Sequence, residues 1–202
     1  MYLVGIAGGS GSGKTTFAHK VLKLLGPENA QILSMDSYYL HKLPEDLTTP
    51  SGRLNFDHPH AFDWKLLREH LVALKEGNEV QTPIYDFKSN SRVEEYQLTK
   101  PTKIILFEGI FSLFDLEIRA NLDIKCFLHV DSDMRFSRRL HRDVKERNRS
   151  LESVIDQYYE SVRPMYQKYL DPQKQHADFT VGEETDVAAH ILAARLKEFL
   201  ND

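Results

Sequence analysis

The residues of this chain best suited to do chemistry form a glycine-rich run near its start. The run reads Gly8-Gly9-Ser10-Gly11-Ser12-Gly13-Lys14-Thr15 and fits the pattern G-x-x-x-x-G-K-[ST] in full. Glycines let successive backbone N–H groups point inward around an anion, and the helix that follows adds the positive end of its dipole. Lys14 supplies a compact positive charge for the outer phosphates, and the Thr15 hydroxyl can ligate Mg²⁺. The run therefore predicts a loop that binds a nucleoside triphosphate.

Two carboxylates at predicted strand ends could act beside this loop. Glu108 follows the apolar run 104–107, and a carboxylate at the tip of a central strand can hold Mg²⁺ directly or through water. Asp36 follows the run 31–35 and could accept a proton from an attacking hydroxyl, as a kinase requires. Each also has an ordinary interpretation. Glu108 could be a solvated acid, and Asp36 taken alone is more often a helix cap or turn former.

A group of arginines forms a third candidate feature. Arg135, Arg138, Arg139 and Arg142 are spaced i, i+3, i+4 and i+7, so one helical face carries all four. Residues 131–149 have a net charge of +3, in a chain whose net charge is -4. This patch suits a polyphosphate, or a lid at about 133–150 that closes over one. A solvated helix face is the alternative, and it would be preferred without the phosphate loop.

Short apolar runs alternate with longer helical patterns, and this alternation sets the expected fold. Strands are predicted at 2–7, 30–35, 80–87, 93–98, 103–107, 124–130 and 178–181, and helices at 14–25, around 64–74, 133–147, 150–169 and 186–200. The alternation predicts one α/β domain spanning 1–202 with three layers, and the phosphate loop after its first strand makes this a fold of the P-loop NTPase type. A parallel sheet is flanked by helices, and a small β-hairpin insertion and a helical lid are added to it.

Composition excludes several classes of protein. With 202 residues and 41% hydrophobic residues, the chain can build a real core, so wholesale disorder is not expected. A pI of about 6.1 argues against a dedicated nucleic-acid binder. No apolar stretch approaches membrane-spanning length, and the start lacks signal-peptide features. The single cysteine, Cys126, fits a reducing compartment, so we expect a soluble cytoplasmic protein. The nine histidines show no metal-ligand spacing.

Taken together, these residues resemble the uridine/cytidine kinase family, within the wider uridine kinase and phosphoribulokinase group. The matching stretches run in order along nearly the whole chain: Gly8 to Thr16, Asp36-Ser37-Tyr38-Tyr39, Asn55-Phe56-Asp57-His58-Pro59-His60-Ala61-Phe62-Asp63, Pro83-Ile84-Tyr85-Asp86-Phe87, Phe107-Glu108-Gly109-Ile110, Arg138-Arg139-Leu140-His141-Arg142-Asp143, Glu146-Arg147-Asn148-Arg149-Ser150 and Gln157-Tyr158. The phosphate loop is generic, whereas the Phe-Asp-His-Pro and Tyr-Asp-Phe segments are rather specific to this family.

The resemblance implies transfer of the γ-phosphate of ATP or GTP to the 5′-hydroxyl of a pyrimidine ribonucleoside. Asp36 is then the general base, and Arg142 and Arg147 reach the phosphates from the lid. The residues implied to bind the phosphates and Mg²⁺ are Gly8, Gly9, Ser10, Gly11, Ser12, Gly13, Lys14, Thr15, Thr16 and Glu108, with Thr15 and Glu108 on the metal. The resemblance also suggests a homotetramer.

A second set of residues is implied to bind the nucleoside. The ribose would be held by Asp57, Arg139 and Gln157, and the base would be met by Phe56, Tyr85, Phe87, Asn90 and Arg149, with Tyr39 nearby. Flat rings can sandwich a nucleobase, although each aromatic residue taken singly is more typical of a core.

The sequence departs from the family at three places. Asn90 stands where family members commonly have a histidine that reads the base edge, and an Asn amide can face either the O4 of uracil or the amino group of cytosine. We therefore expect both nucleosides to be substrates. Asn148 replaces the usual glycine between two lid arginines, which predicts a stiffer lid. The segment 181–184 lacks the usual Pro-Arg-Gly, so contacts to the donor base should differ.

Three other functions were weighed against this one. Another small-molecule kinase, of the phosphoribulokinase or pantothenate kinase type, shares the phosphate loop, but the aromatic set around Tyr85 argues against a bare sugar phosphate. A regulatory GTPase would need an Asn-Lys-x-Asp motif to read guanine, and the sequence contains none. A nucleotide-binding protein without catalysis is disfavoured because Lys14, Asp36 and Glu108 are all present.

Overall fold

A fully parallel, five-stranded sheet forms the centre of the molecule. The computed structural model describes residues 1–201. The strands are β1 (Tyr2–Gly8), β2 (Ala30–Ser34), β3 (Val80–Asp86), β4 (Ser91–Thr99), β5 (Ile104–Gly109), β6 (Ile124–Leu128) and β7 (Phe179–Val181). The sheet order is β2-β5-β1-β6-β7, while β3 and β4 pair separately as an antiparallel hairpin. The predicted fold class and the hairpin insertion are therefore confirmed.

Helices cover both faces of the sheet. They are α1 (Lys14–Leu25), α2 (Trp64–Lys75), α3 (Leu116–Ala120), α4 (Ser132–Lys145), α5 (Leu151–Gln157), α6 (Arg163–Met165) and α7 (Thr185–Asn201). Side chains alternate along β1, so Leu3 packs in the layer that contains α2, whereas Val4 packs in the layer with α1 and α7. Since every residue of β5 is buried, this strand reads as an unbroken apolar run ending in Glu108. None of the described helices is both long and apolar enough to cross a bilayer.

The helix predicted at 150–169 is wound differently from the expectation. It begins as α5, widens into π-helix at Tyr158–Val162 and again at Tyr166–Leu170, and ends in a 3₁₀ segment at Asp171–His176. Pro164 lies between the two π segments and has no N–H to donate to the preceding turn. A wider turn accommodates that missing donor, and π segments often occur at functional sites. The short helix α3 was not predicted.

The carboxyl ends of the parallel strands meet at one edge of the sheet. There β1 leads into the glycine-rich run, β2 leads to Asp36 in a 3₁₀ turn, and β5 ends beside Glu108. In open α/β sheets ligands bind at this edge. The candidate residues therefore come from strand ends that the topology brings together.

Candidate active site

The glycine-rich run folds as a tight loop with free backbone donors. Gly11 and Gly13 have φ values of 81° and 88°, a left-handed conformation that side chains disfavour. Gly13 is the N-cap of α1, and no side chain caps that helix. The N–H groups of the first turn are therefore available to an anion, and the helix dipole favours one there.

The loop forms the floor of a cleft of about 610 Å³, which we call the donor cleft. The predicted residues that line it are Gly11, Gly13, Lys14, Thr15, Thr16, Asp36, Glu108, Arg142 and Arg147. Gly8, Gly9, Ser10 and Ser12 complete the loop without lining this cleft. The Ser10 hydroxyl oxygen instead accepts hydrogen bonds from Arg139 at 3.0 Å and from Arg142 at 3.4 Å.

Glu108 and Thr15 lie together in the donor cleft. The Thr15 hydroxyl donates to Glu108 Oε1 at 3.2 Å, and the Ser34 hydroxyl donates to the same oxygen at 3.0 Å. Burial raises the pKa of Glu108; Lys14 opposes this effect, while the charge of Asp36 adds to it. Hydroxyl and carboxylate oxygens beside a phosphate loop are the donors that Mg²⁺ prefers. No cluster of three His, Cys, Asp or Glu residues suited to a metal occurs in 1–201, so the remaining ligands would be water and phosphate.

Asp36 is placed as a strand-end acid rather than as a helix cap. It is half-buried in the 3₁₀ turn Met35–Tyr38, and its own N–H is bonded to the Ser34 hydroxyl at 3.4 Å. Its carboxylate lines the donor cleft together with Lys14 and Glu108. A carboxylate at this position can accept a proton from a group that enters the cleft.

A second cleft, the acceptor cleft, has a volume of about 510 Å³. All nine residues predicted to contact the nucleoside line it: Tyr39, Phe56, Asp57, Tyr85, Phe87, Asn90, Arg139, Arg149 and Gln157. These residues come from four separate stretches of the chain, which the fold brings together. Their role in binding a nucleoside stays a prediction.

Aromatic rings form one wall of the acceptor cleft. Tyr39 is only 7% exposed and stacks on Phe62 with ring centroids 4.1 Å apart. The Tyr85 ring lies 4.9 Å from Tyr39 and 5.2 Å from Phe87. Burial raises the pKa of Tyr85, so its hydroxyl stays protonated. Tyr39 therefore supports the wall from beneath, and Tyr85 and Phe87 present more accessible rings to a flat ligand.

Asp57 belongs to the polar part of the acceptor cleft, and it is nearly buried. Its Oδ2 accepts a 2.7 Å hydrogen bond from the Ser161 hydroxyl and a 3.4 Å bond from the Gln157 amide nitrogen. The Gln157 oxygen accepts in turn from Arg139 at 2.9 Å and from Arg149. This network holds the carboxylate, the amide and both guanidinium groups in one polar surface. Its hydrogen-bond donors and acceptors suit two neighbouring hydroxyl groups of a ligand.

The two clefts share a border. Tyr85, Phe87 and Arg147 line both of them. The Arg147 guanidinium stacks over the Phe87 ring at 3.8 Å from its centroid. A group passing from one cleft to the other would therefore move beside a cation and two aromatic rings.

Two asparagines occupy backbone positions that favour glycine. Asn90, at the tip of the hairpin, and Asn148, between the two lid arginines, have φ values of 53° and 54°. Among residues with a side chain, asparagine adopts this conformation most readily. The departure at 148 therefore preserves the turn, at a modest cost in backbone freedom.

Sequence reasoning missed several supporting residues. Ser34 lies two residues before Asp36 at the end of β2, so its position could have suggested it. Ser161 lies four residues after Gln157, but it is in a π-helical turn, and local spacing does not predict its contact with Asp57. Arg92 in β4 donates to the carbonyl oxygens of Tyr39 at 2.7 Å and Tyr38 at 3.2 Å, and fastens that segment to the hairpin. Nothing in the local sequence around Arg92 predicts this contact.

Comparison with known proteins adds independent information. The family model described as phosphoribulokinase / uridine kinase matches residues 3–189. A uridine kinase from Clostridium novyi is 42% identical over 203 residues, covering 99% of this chain and 97% of its own. A uridine-cytidine kinase B from Dictyostelium discoideum is 40% identical, covering 100% and 83%. A solved D-glycerate 3-kinase from Cryptococcus neoformans superposes with a TM-score of 0.67 at 19% identity, covering 91% and 87%. This last likeness concerns the fold alone.

Proposed function

The chain belongs to the phosphoribulokinase/uridine kinase family, and from that premise we propose that it transfers the γ-phosphate of ATP or GTP to the 5′-hydroxyl of uridine or cytidine. The observation that carries the proposal is the pairing of two clefts across a shared border. One cleft offers backbone donors and a lysine for phosphates, and the other offers aromatic rings and a buried carboxylate for a nucleoside. Relatives named as uridine kinases at about this identity support the same substrate class.

In the acceptor cleft, the nucleoside is held by its ribose and its base. The ribose hydroxyls donate to the Asp57 carboxylate and accept from Arg139, while Gln157 keeps both groups in place. The base lies against Tyr85 and Phe87, and Asn90 reaches its edge. Because the ribose anchor Arg139 also donates to the Ser10 hydroxyl of the phosphate loop, a ribose bound there has its 5′-hydroxyl on the side of the donor cleft.

The chemical step needs proton removal and charge neutralisation more than covalent catalysis. Asp36 accepts the proton of the 5′-hydroxyl as that oxygen bonds to the γ-phosphorus. The bond from the γ-phosphorus to the bridging oxygen breaks, and the nucleoside diphosphate leaves with that electron pair. Lys14, Arg142 and Arg147 neutralise the charge that develops on the phosphate oxygens. Mg²⁺, held through Thr15 and Glu108, would supply further positive charge on the outer phosphates.

The arginine-bearing segment also keeps water from the donor cleft. Arg142 and Arg147 belong to the lid and line the donor cleft, and Arg142 also donates to the Ser10 hydroxyl of the phosphate loop. Exclusion of water matters because water is a competing acceptor for the γ-phosphate. A lid that needs both substrates in place limits that side reaction.

The cellular setting forms part of the same proposal. The product would be UMP or CMP, made by salvage of free pyrimidine nucleosides in the cytoplasm. Cys126 is buried, and burial raises the pKa of its thiol, which fits a cysteine kept reduced. A homo-oligomer, by resemblance a tetramer, is supported by Tyr96 and Leu98, which lie two residues apart on one face of β4 and are 60% and 51% exposed.

A panel of acceptors tests the proposed function. The protein is incubated with ATP or GTP, Mg²⁺ and one acceptor: uridine, cytidine, ribulose 5-phosphate or none. We expect diphosphate release with uridine and cytidine well above the rate without an acceptor. A preference for ribulose 5-phosphate would assign the chain to another branch of its family, and equal rates in all samples would contradict transfer to a nucleoside.

A further inference from the structure

One buried carboxylate in the lid has no role in the mechanism above. Asp143 lies in α4, is fully buried, and has arginine nitrogens on several sides. Its carboxylate oxygens lie within 4.0 Å of the guanidinium groups of Arg139, Arg142, Arg147 and Arg149. Only Arg142 hydrogen-bonds this carboxylate, with nitrogens at 2.7 and 2.9 Å, whereas the other three guanidinium groups lie 3.4–3.8 Å away, so the four groups share it unequally.

The two oxygens of Asp143 face different pairs of arginines. Oδ1 pairs with Arg142 at 2.7 Å, which lines the donor cleft, and with Arg147 at 3.5 Å, which lies at the border and lines both clefts. Oδ2 faces Arg139 at 3.4 Å and Arg149 at 3.8 Å, and both of these line the acceptor cleft. One carboxylate therefore touches the cationic groups of both substrate sites.

The Oδ2 side of this arrangement is incomplete. Within the described part of the chain, Asp143 Oδ2 and Arg139 Nε are both buried and lack any hydrogen-bond partner, although they face each other. Burial of unbonded polar atoms is costly, and a movement of a few tenths of an ångström would let this pair bond. The Arg142 side, by contrast, already has a 2.9 Å hydrogen bond from Nε to Oδ1.

We propose that Asp143 is a positioning residue that couples nucleoside binding to donor binding. When phosphates bind Arg142 and Arg147, these two arginines interact less strongly with the Asp143 carboxylate. The carboxylate can then bond fully to Arg139 and Arg149, which fixes them for the nucleoside. Binding of either substrate therefore strengthens binding of the other, and this inference rests on the proposed function.

The coupling is measured by calorimetry on the whole protein. Uridine is titrated with and without a saturating non-hydrolysable ATP analogue and Mg²⁺. In the unaltered protein we expect the analogue to tighten uridine binding by about fivefold or more, and uridine to tighten the analogue by the same factor. Asp143→Asn keeps the shape and removes the charge, so both ligands should still bind, with a coupling factor near one and a lowered kcat.

A matched control separates this effect from a loss of charge alone. Asp133→Asn makes the same charge change on an exposed site of the same helix, and it should keep the coupling. If Asp143→Asn does not fold, Arg139→Lys replaces it: lysine keeps the charge but loses Nε, so the coupling should fall while affinity for the ATP analogue remains.

Each outcome decides one question. Independent binding of the two ligands to the unaltered protein overturns the inference, and so does full coupling in Asp143→Asn or in Arg139→Lys. Failure of uridine to bind the unaltered protein at all would instead contradict the proposed function, and the inference would fall with it.

Discussion

The donor cleft and the acceptor cleft lie side by side, yet they are built in different ways. The donor cleft takes most of its groups from one contiguous loop and from the ends of β2 and β5. The acceptor cleft gathers side chains from four separate stretches, two of them irregular or π-helical. A site made of local backbone groups is specified by a short sequence, whereas a site made of distant side chains depends on the whole fold.

The two clefts also differ in how their charges are held. In the donor cleft, backbone N–H groups at the start of α1 are fixed by the loop itself. In the acceptor cleft, Asp57, Gln157 and Arg139 hold one another through a chain of hydrogen bonds. A substitution in the donor cleft should therefore change one kinetic step strongly. A substitution in the acceptor cleft should also disturb the residues that are hydrogen-bonded to the altered side chain.

The largest effect is expected at Asp36, the proposed general base in the donor cleft. Asp36→Asn keeps the size of the side chain but cannot take the hydroxyl proton, so kcat should fall about 10²–10⁴-fold while an ATP analogue still binds. Asp46→Asn, on an exposed loop, is the control and should leave kcat unchanged. Loss of ATP affinity in Asp36→Asn would make Asp36 chiefly a residue of the metal site.

A substitution in the donor cleft should lower activity without weakening nucleoside binding in the acceptor cleft. Lys14→Ala removes one fixed charge from the phosphates and should lower kcat/KM about 10²–10³-fold, with uridine affinity and the melting temperature little changed. Lys23→Ala, exposed on the same helix, serves as the control. Near-normal turnover in Lys14→Ala would refute the assignment of the phosphate loop.

An acceptor-side substitution should give the opposite pattern. Asp57→Asn weakens the charged hydrogen bonds to the ribose, so KM for uridine should rise about tenfold while KM for ATP stays within about twofold. Steady-state kinetics with each substrate varied in turn provides the measurement. A rise in the ATP KM alone would place Asp57 on the donor side.

The smallest kinetic effect is expected at the hairpin tip. Asn90 is exposed, so Asn90→His should change the ratio of kcat/KM for uridine over cytidine by only about fivefold. An unchanged ratio would mean that Asn90 does not read the base and that this part of the resemblance is misaligned.

Stability should respond to pH through Glu108. Because burial raises the pKa of Glu108, the folded protein disfavours its ionised form and loses stability as the pH rises through the ordinary value of 4.5. Glu108→Gln removes that loss, so its melting temperature at pH 8 should exceed that of the unaltered protein by roughly 2–4 °C, while activity falls. The gain should shrink as the pH approaches 4.5, and a gain independent of pH would contradict this explanation.

Particular residues show what the sequence could predict and what it could not. Glu108 was placed correctly because an apolar run that ends in an acid can be read as a buried parallel strand. Ser161 was missed because its contact with Asp57 spans 104 positions and lies in a π-helical turn. Asp143 lies with Glu146 in the arginine-rich stretch 135–149, yet its contacts with the arginines of both clefts depend on how α4 packs. Spacing predicts groups on one element, but not which elements share a cavity.

The position of the transferred phosphate shows which hydroxyl of the nucleoside the acceptor cleft brings to the donor cleft. The product formed from uridine and ATP is examined by phosphorus-31 NMR, with 5′-deoxyuridine as the matched acceptor that lacks only the reacting hydroxyl. We expect a phosphate coupled to the two 5′ protons, and no product from 5′-deoxyuridine. A phosphate on the 2′ or 3′ oxygen, or any phosphorylation of 5′-deoxyuridine, would contradict the claim that the acceptor cleft aims the 5′-hydroxyl at the donor cleft.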